Sequence, residues 1–237
     1  MKKSLIALAA AVVVPAVPTL AHADVTANVA LTSKYKFRGQ DQSDPGEAVL
    51  PAIQGGFDWS GGGFYLGNWN SSVGFLGGTE MDFYGGYAGE VAGFGYDVGL
   101  LHYYYPGSSS SADTTEVYAK VVFGPVSAKY SHTVSSKWFG FAEGSNTGYL
   151  ELNGSYEVMP GISLIGHLGT TMFSSDAKSV SGLVNYTDYK IGASMGLGSG
   201  FTVEAAYVGA TEQSAWEAIA GGDVNKDRVV LTLSKVL

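Results

Sequence analysis

The sequence predicts an all-β fold, a transmembrane antiparallel up-and-down β-barrel of about 12 strands. Three observations carry this reading. Apolar and polar residues alternate with a period of two almost from end to end, the candidate strands mostly run ten to thirteen residues, and the connections alternate between long and short. Soluble strands cluster near about 5–6 residues, whereas a tilted strand needs about 9–11 to cross a bilayer.

The first 23 residues are set aside from the fold. Lys2 and Lys3 form a charged head, "SLIALAAAVVV" is an apolar run interrupted afterwards by Pro15 and Pro18, and "AHA" at Ala21–Ala23 is a small-x-small cleavage pattern. A signal peptide over 1–23 and a single barrel over 24–237 are therefore expected, with nothing resembling a linker inside the barrel.

The first expected strand covers 25–38. Val25, Ala27, Val29, Leu31, Tyr35 and Phe37 hold the odd positions, and Thr26, Asn28, Thr32, Lys34, Lys36 and Arg38 the even ones. A period of two places the two sets on opposite faces. If the odd face meets lipid, Lys34, Lys36 and Arg38 face the lumen; the reverse would cost about 2–4 kcal/mol for each basic residue near the membrane midplane. Further strands are expected at 48–59, 64–73, 79–90, 93–105, 115–123, 126–135, 148–158, 161–173, 185–197 and 200–211. The last shows Val229, Leu231 and Leu233 against Arg228, Thr232 and Ser234.

The connections supply the sharpest signal. Long ones such as "GQDQSDPGE", "PGSSSSADT" and "SSKWFGFAEGSNT" alternate with tight ones such as "SGGG", "GP" and "GSG", giving six longer loops against five short turns. A barrel with both termini on one side of a membrane sorts its loops in this way, and a soluble sandwich has no reason to. The "QSAWEAIAGG" stretch in the last loop could form a helical turn.

Composition agrees. Gly makes up 34 of 237 residues and aromatics 13 %, while charged residues are only 14 % and cysteine is absent. Abundant glycine weakens helices, and rings anchor well at a membrane interface. Beyond the leader no apolar run approaches the roughly 20 residues of a helical span. Without the leader, 11 basic residues face 21 acidic ones, a net charge near −10, which argues against a nucleic-acid partner despite the basic and aromatic "KYKFRG".

Applied to the other strands, the same parity test sends Asp58, Glu80, Asp82, Asp97, Glu116, Lys120, Lys129, Glu151, Glu157, Asp188, Lys190, Glu204 and Arg228 inward. With the first three cations, the lumen then carries seven basic and nine acidic groups. Such a lumen is polar and mixed in sign. Twelve strands lie between barrels filled by side chains and barrels with an open channel, so a narrow open bore and a bore closed by ion pairs both stand. Trp59, Tyr65, Trp69, Tyr87, Tyr103, Tyr104, Tyr105 and Tyr130 are expected in interfacial girdles, with a sugar platform at "HYYYPG" as the other reading.

Chemistry by catalysis is not indicated. His102, His132 and His167 show no metal-ligand spacing, Ser131 and His132 point to opposite faces as strand neighbours, and no Gly-x-Ser-x-Gly elbow occurs. No metal or other cofactor is expected.

The blocks "NVALTSKYKFRGQDQSD", "PAIQGGFDW", "GFYLGNWNSSVGF", "EMDFYGGYAGE", "YDVGLLHYYYPG" and "TTEVYAK" occur, over about Asn28 to Lys120, in an order that resembles the TorF family of proteobacterial porin-like proteins. The resemblance implies an outer-membrane barrel of a Gram-negative bacterium and supplies no catalytic or ligand-binding residues. One departure is the terminal Leu237, where such barrels commonly end on an aromatic residue. The expected function is a channel for passive diffusion of small polar solutes or ions, embedded in outer-membrane lipid, with oligomerisation left open. The alternative is a non-conducting outer-membrane or secreted β-protein acting through its outer loops in binding, adhesion or envelope structure.

Overall fold

The computed structural model describes residues 24–43, 49–108 and 112–237. The expected signal peptide lies outside the described residues, as do 44–48 and 109–111 in two of the long connections.

The wall begins with β1 (Asp24–Thr32). A small separate hairpin follows, β2 (Lys36–Phe37) with β3 (Gln40–Asp41). The wall resumes with β4 (Ala52–Gly61), β5 (Phe64–Ser72), β6 (Thr79–Val91), β7 (Phe94–Tyr104), β8 (Thr114–Phe123) and β9 (Val126–Thr133). It is completed by β10 (Gly148–Met159), β11 (Ile162–Met172), β12 (Tyr186–Gly198), β13 (Phe201–Ala210) and β14 (Arg228–Val236). Each wall strand pairs antiparallel with its neighbours in chain order, and β1 pairs with both β4 and β14 to close a barrel of 12 strands. Closure leaves no wall strand with an unpaired edge, which a hydrocarbon solvent requires.

From β5 onward the strands begin and end within two residues of the expected ranges. Five tight turns lie at one end, three of them built on the left-handed pairs Gly62–Gly63, Ala92–Gly93 and Ser199–Gly200. The long connections gather at the other end and hold two short helices, α1 (Ser175–Ser181) and α2 (Gln213–Ala220). The "QSAWEAIAGG" stretch is thus helical. Helix α1 follows from local chemistry: the Ser174 side chain accepts from the Ala177 N–H, and Gly182 ends the helix in the left-handed region.

The first expected strand requires a correction. The wall ends at Thr32, and residues 33–43 turn into the barrel. Arg38 (φ 47°) and Gly39 (φ 72°) form a two-residue left-handed turn of the kind that joins tight hairpins. Gly39 is also required by space, since a Cβ there would lie 2.6 Å from the Asp188 Cβ and 2.7 Å from the Gly209 carbonyl oxygen. Tyr35 and Phe37, expected towards lipid, instead face the interior. Tyr35 is 3 % exposed and stacks edge-on with Trp69, while Phe37 packs against Tyr103 and Phe139.

The outer face of the wall is apolar. Val25, Leu31, Ile53, Leu66, Ile191 and Leu231 all lie on it exposed, in a register that sets Leu31 opposite both Ile53 and Leu233. At the long-loop end a second apolar body forms inside. Trp138, Phe173, Leu183, Tyr186 and Trp216 are buried together, with Phe139 and Phe141 packed against them. This aromatic roof joins the β9–β10 connection to both helical loops.

Ile191 lies midway along β12 and is 68 % exposed on the outer wall. Ile191→Arg is expected to lower the stability of the barrel folded in lipid vesicles by about 2–4 kcal/mol. Urea titration measures this, and an unchanged midpoint would contradict the lipid-facing assignment.

Candidate functional site: the barrel interior

The inward hairpin is locked by buried charge. Arg38 donates from both terminal nitrogens to Glu116 on β8, at 2.9 Å to Oε1 and 2.6 Å to Oε2, while its guanidinium lies 4.1 Å from the centroid of the Tyr149 ring. Lys34, 1 % exposed, pairs with Asp41 at 3.0 Å inside the same segment. Tyr35 and Tyr105 both donate their hydroxyls to Glu80. Gln40 donates to Asn225 at 2.8 Å, and the Lys36 ammonium donates to the carbonyls of Val224 at 3.0 Å and Lys226 at 2.7 Å. The hairpin therefore bridges β6, β8 and the last long loop.

Burial draws the Lys36 ammonium down to about 8 from its usual 10.5, with Asp41 opposing the shift and Arg228 and Lys34 adding to it.

Beneath the hairpin lies a cavity of about 200 Å³. Of the residues expected on the lumen face, Lys34, Lys36, Arg38, Asp82, Asp97, Lys120, Lys129, Glu151, Asp188, Lys190 and Glu204 border this cavity. Asp58, Glu80, Glu116 and Arg228 do not. Asp58 accepts from Tyr84 at 2.6 Å, Glu80 and Glu116 are taken up by the hairpin, and Arg228 is half-buried at the start of β14. Glu157 is exposed near the short-turn end and accepts from the Gly161 N–H.

The cavity wall is a connected polar network. Asp97 accepts from the Tyr65 hydroxyl at 2.6 Å, and that hydroxyl also bonds the Tyr118 hydroxyl. Lys129 lies 3.6 Å from Glu151, which also accepts from Asn153 at 2.9 Å. His167 stands 2.8 Å from Asn153 and 2.7 Å from Asp188, and Tyr149 donates to Asp188 at 3.1 Å. Lys190 reaches Glu204 at 3.3 Å. Among the described residues, Lys120 has no ion pair within 4 Å, and Asp82 Oδ1 and Glu204 Oε2 are buried without a hydrogen-bond partner.

The interior is graded along the barrel axis. On β1, Thr26 is exposed and Thr32 buried; on β6, Glu90 is exposed and Glu80 buried; on β12, Gly196 is exposed and Asp188 buried. All six are on the inward face, so among the described residues that face is buried towards the long loops and exposed towards the short turns.

Half of the expected aromatic girdle is inward. Trp59, Tyr87, Tyr104 and Tyr130 are exposed on the outer wall, but Tyr65, Tyr103 and Tyr105 are buried and Trp69 packs on Tyr35. Parity could have found two of these, because Tyr103 and Tyr105 share the odd face of their segment with Asp97. Asn153, Tyr84, Tyr149 and His167 were also not singled out for the interior; the first three share a strand face with Glu151 or Asp82, whereas β11 has no acid to mark the face of His167.

An apolar outer belt and a charged, tyrosine-braced interior define a channel-like β-barrel of the outer-membrane type. The chain belongs to the family described as "Bacterial protein of unknown function (Gcw_chp)", whose model matches residues 16–237. That family bears a different name from the TorF family which the N-terminal blocks resemble. No curated protein sequence matches the chain. Among solved structures, the fold is similar to the NanC porin (11 % identity, TM-score 0.52, covering 90 % of this chain and 98 % of that one). It is also similar to an outer-membrane channel from Pseudomonas putida F1 (12 % identity, TM-score 0.51, covering 92 % and 96 %). At these identities the likeness is one of fold.

Two measurements check the hairpin lock. Arg38→Met or Glu116→Leu alone leaves a buried charge unpaired and is expected to cost about 3–5 kcal/mol, whereas the double variant recovers most of the loss. Unfolding midpoints in detergent micelles would show additive losses if the two groups do not interact. For Lys36, the folded protein releases its proton at lower pH than the unfolded chain does. Rising pH between about 8 and 10.5 therefore favours the folded state through this group. Relative to Lys36→Met, the wild-type protein is expected to gain stability across that window, and a parallel pH profile would remove the shift.

Proposed function

We propose that this protein is an outer-membrane channel of a Gram-negative bacterium that passes small polar solutes or ions by diffusion. The observation that carries the reading is the interior. A barrel that served only as an anchor could be filled with apolar side chains, yet this one holds charged groups of both signs around a cavity of about 200 Å³. Solutes would be selected by the width left beside the hairpin and by weak interactions with successive charges. The fold shared with the NanC porin and the P. putida channel supports this reading. In this reading residues 1–23 direct export, the lipid-facing belt meets outer-membrane lipid, and no nucleic acid is bound.

The pore-lining set divides by role. Lys120, Lys129, Glu151, Asp188, Lys190 and Glu204, with Asp82 and Asp97, would meet the solute. Lys34 and Arg38 act as fastenings of the hairpin, since Asp41 and Glu116 already neutralise them. The buried aromatic cluster at the long-loop end also favours a second reading, in which the barrel does not conduct and this roof supports loops that bind outside the cell.

Planar-bilayer recording separates the two. The wild-type protein is expected to show small, voltage-dependent conductance steps, and Arg38→Ala, which frees the hairpin tip, larger ones. Barrel integrity is read from heat-modifiable migration on gels. A folded barrel silent at every voltage in both forms would overturn the channel reading in favour of the loop reading.

A further inference from the structure

On the inward face, Asp97, Lys120, Lys129 and Glu151 form one row across β7, β8, β9 and β10, each opposite the next in the strand register. The middle of the row sets two lysines directly opposite each other. Like charges in cross-strand pairs are destabilising unless an opposite charge lies close to both. The two acids at the ends are already engaged, Asp97 by the Tyr65 hydroxyl and Glu151 by Asn153 and Lys129. Lys120 is 5 % exposed, borders the cavity and makes no ion pair within 4 Å among the described residues. An ammonium has three donors, and a buried charge without an acceptor is costly.

We propose that Lys120 and Lys129 form a binding site for the carboxylate of a small organic monoanion. The charge count favours a single negative charge over two. The row of four is neutral, with Asp97 and Glu151 acting on Lys120 from beyond 4 Å, so a monoanion brings the row to −1 and a dianion to −2 between the two acids. The body of the solute is fixed by what adjoins the lysines. The Lys129 ammonium lies 4.7 Å from the Tyr118 ring centroid, and Leu101, Tyr84 and Trp69 continue an apolar wall of the same cavity on β7, β6 and β5. The cavity, about 200 Å³, is smaller than the roughly 300–1,000 Å³ that hold drug-sized ligands, which limits the solute to a few carbons. This names a solute class for the proposed channel and rests on that reading only for the route by which the solute arrives.

Calorimetric titration of the full folded protein in detergent micelles with butyrate, butylammonium and inorganic phosphate tests the site without requiring conductance. Butyrate is expected to bind one per barrel, at least tenfold more tightly than either of the others. Lys120→Met is expected to weaken butyrate at least tenfold, and Lys129→Met to weaken it by a smaller factor. Absence of butyrate binding, equal binding of butylammonium or phosphate, or unaltered affinity in a folded Lys120→Met barrel would each overturn the site. The ligand series on the unmodified protein decides the matter even where a variant does not fold. Butyrate binding by a barrel silent in planar bilayers would sustain the site while removing the channel.

Discussion

The interior is organised by one buried interaction, the two-pronged bond between Arg38 and Glu116. A guanidinium carried into a barrel loses its hydration, and only a carboxylate of matching geometry with further contacts can compensate. Here Glu116 supplies two short bonds and the Tyr149 ring covers one face of the cation. The other contacts of the hairpin depend on this anchor. With its tip held at β8, Tyr35 reaches Glu80, Gln40 reaches Asn225, and Lys36 reaches the carbonyls of the last loop. Gly39 makes the anchor possible, because the tip sits too close to β12 and β13 for any side chain.

A second rule explains how a wall with more acids than bases is tolerated. Many of its carboxylates are satisfied by tyrosine hydroxyls rather than by cations: Asp58 by Tyr84, Glu80 by Tyr35 and Tyr105, Asp97 by Tyr65, and Asp188 by Tyr149. A phenol donates a proton to the charged oxygen without bringing a charge of its own. The acids are thereby held in place, and Lys120 is acted on by Asp97 and Glu151 only from beyond ion-pair distance. The residual charge of the cavity is therefore set by where the tyrosines fall, not by the totals of acidic and basic residues.

Much of the barrel was legible in the sequence because its determinants are local. Alternation, strand length and loop parity depend on neighbours in the chain, and they placed the strands from β5 onward closely. The first strand failed for a physical reason. The hairpin is itself extended, so Tyr35 and Phe37 continue the period of Val29 and Leu31 after the chain has left the wall. Only the Arg38–Gly39 turn marks the change, and its meaning depends on Glu116 and Asp188, which are distant in sequence. The girdle failed in part because aromatic residues at strand ends serve either face, and the face was decidable only by parity with an acid on the same strand. The cavity was not legible at all, since it depends on how far side chains from opposite walls reach towards the axis.

The hairpin's partners also lie far along the chain. Its bonds join residue 38 to 116, residue 40 to 225 and residue 36 to 224 and 226, spans of 78 to 190 positions. None of these acceptors is in place until the later strands have paired, and contacts of such separation form late because the chain between them must first be ordered. The β1–β14 seam that closes the barrel joins residues 200 to 208 positions apart, so the hairpin bonds and the closure of the wall belong to the same class of long-range contact. The start of the chain is thus fastened twice to its end, once in the wall through residues 232–236 and once in the interior through residues 224–226.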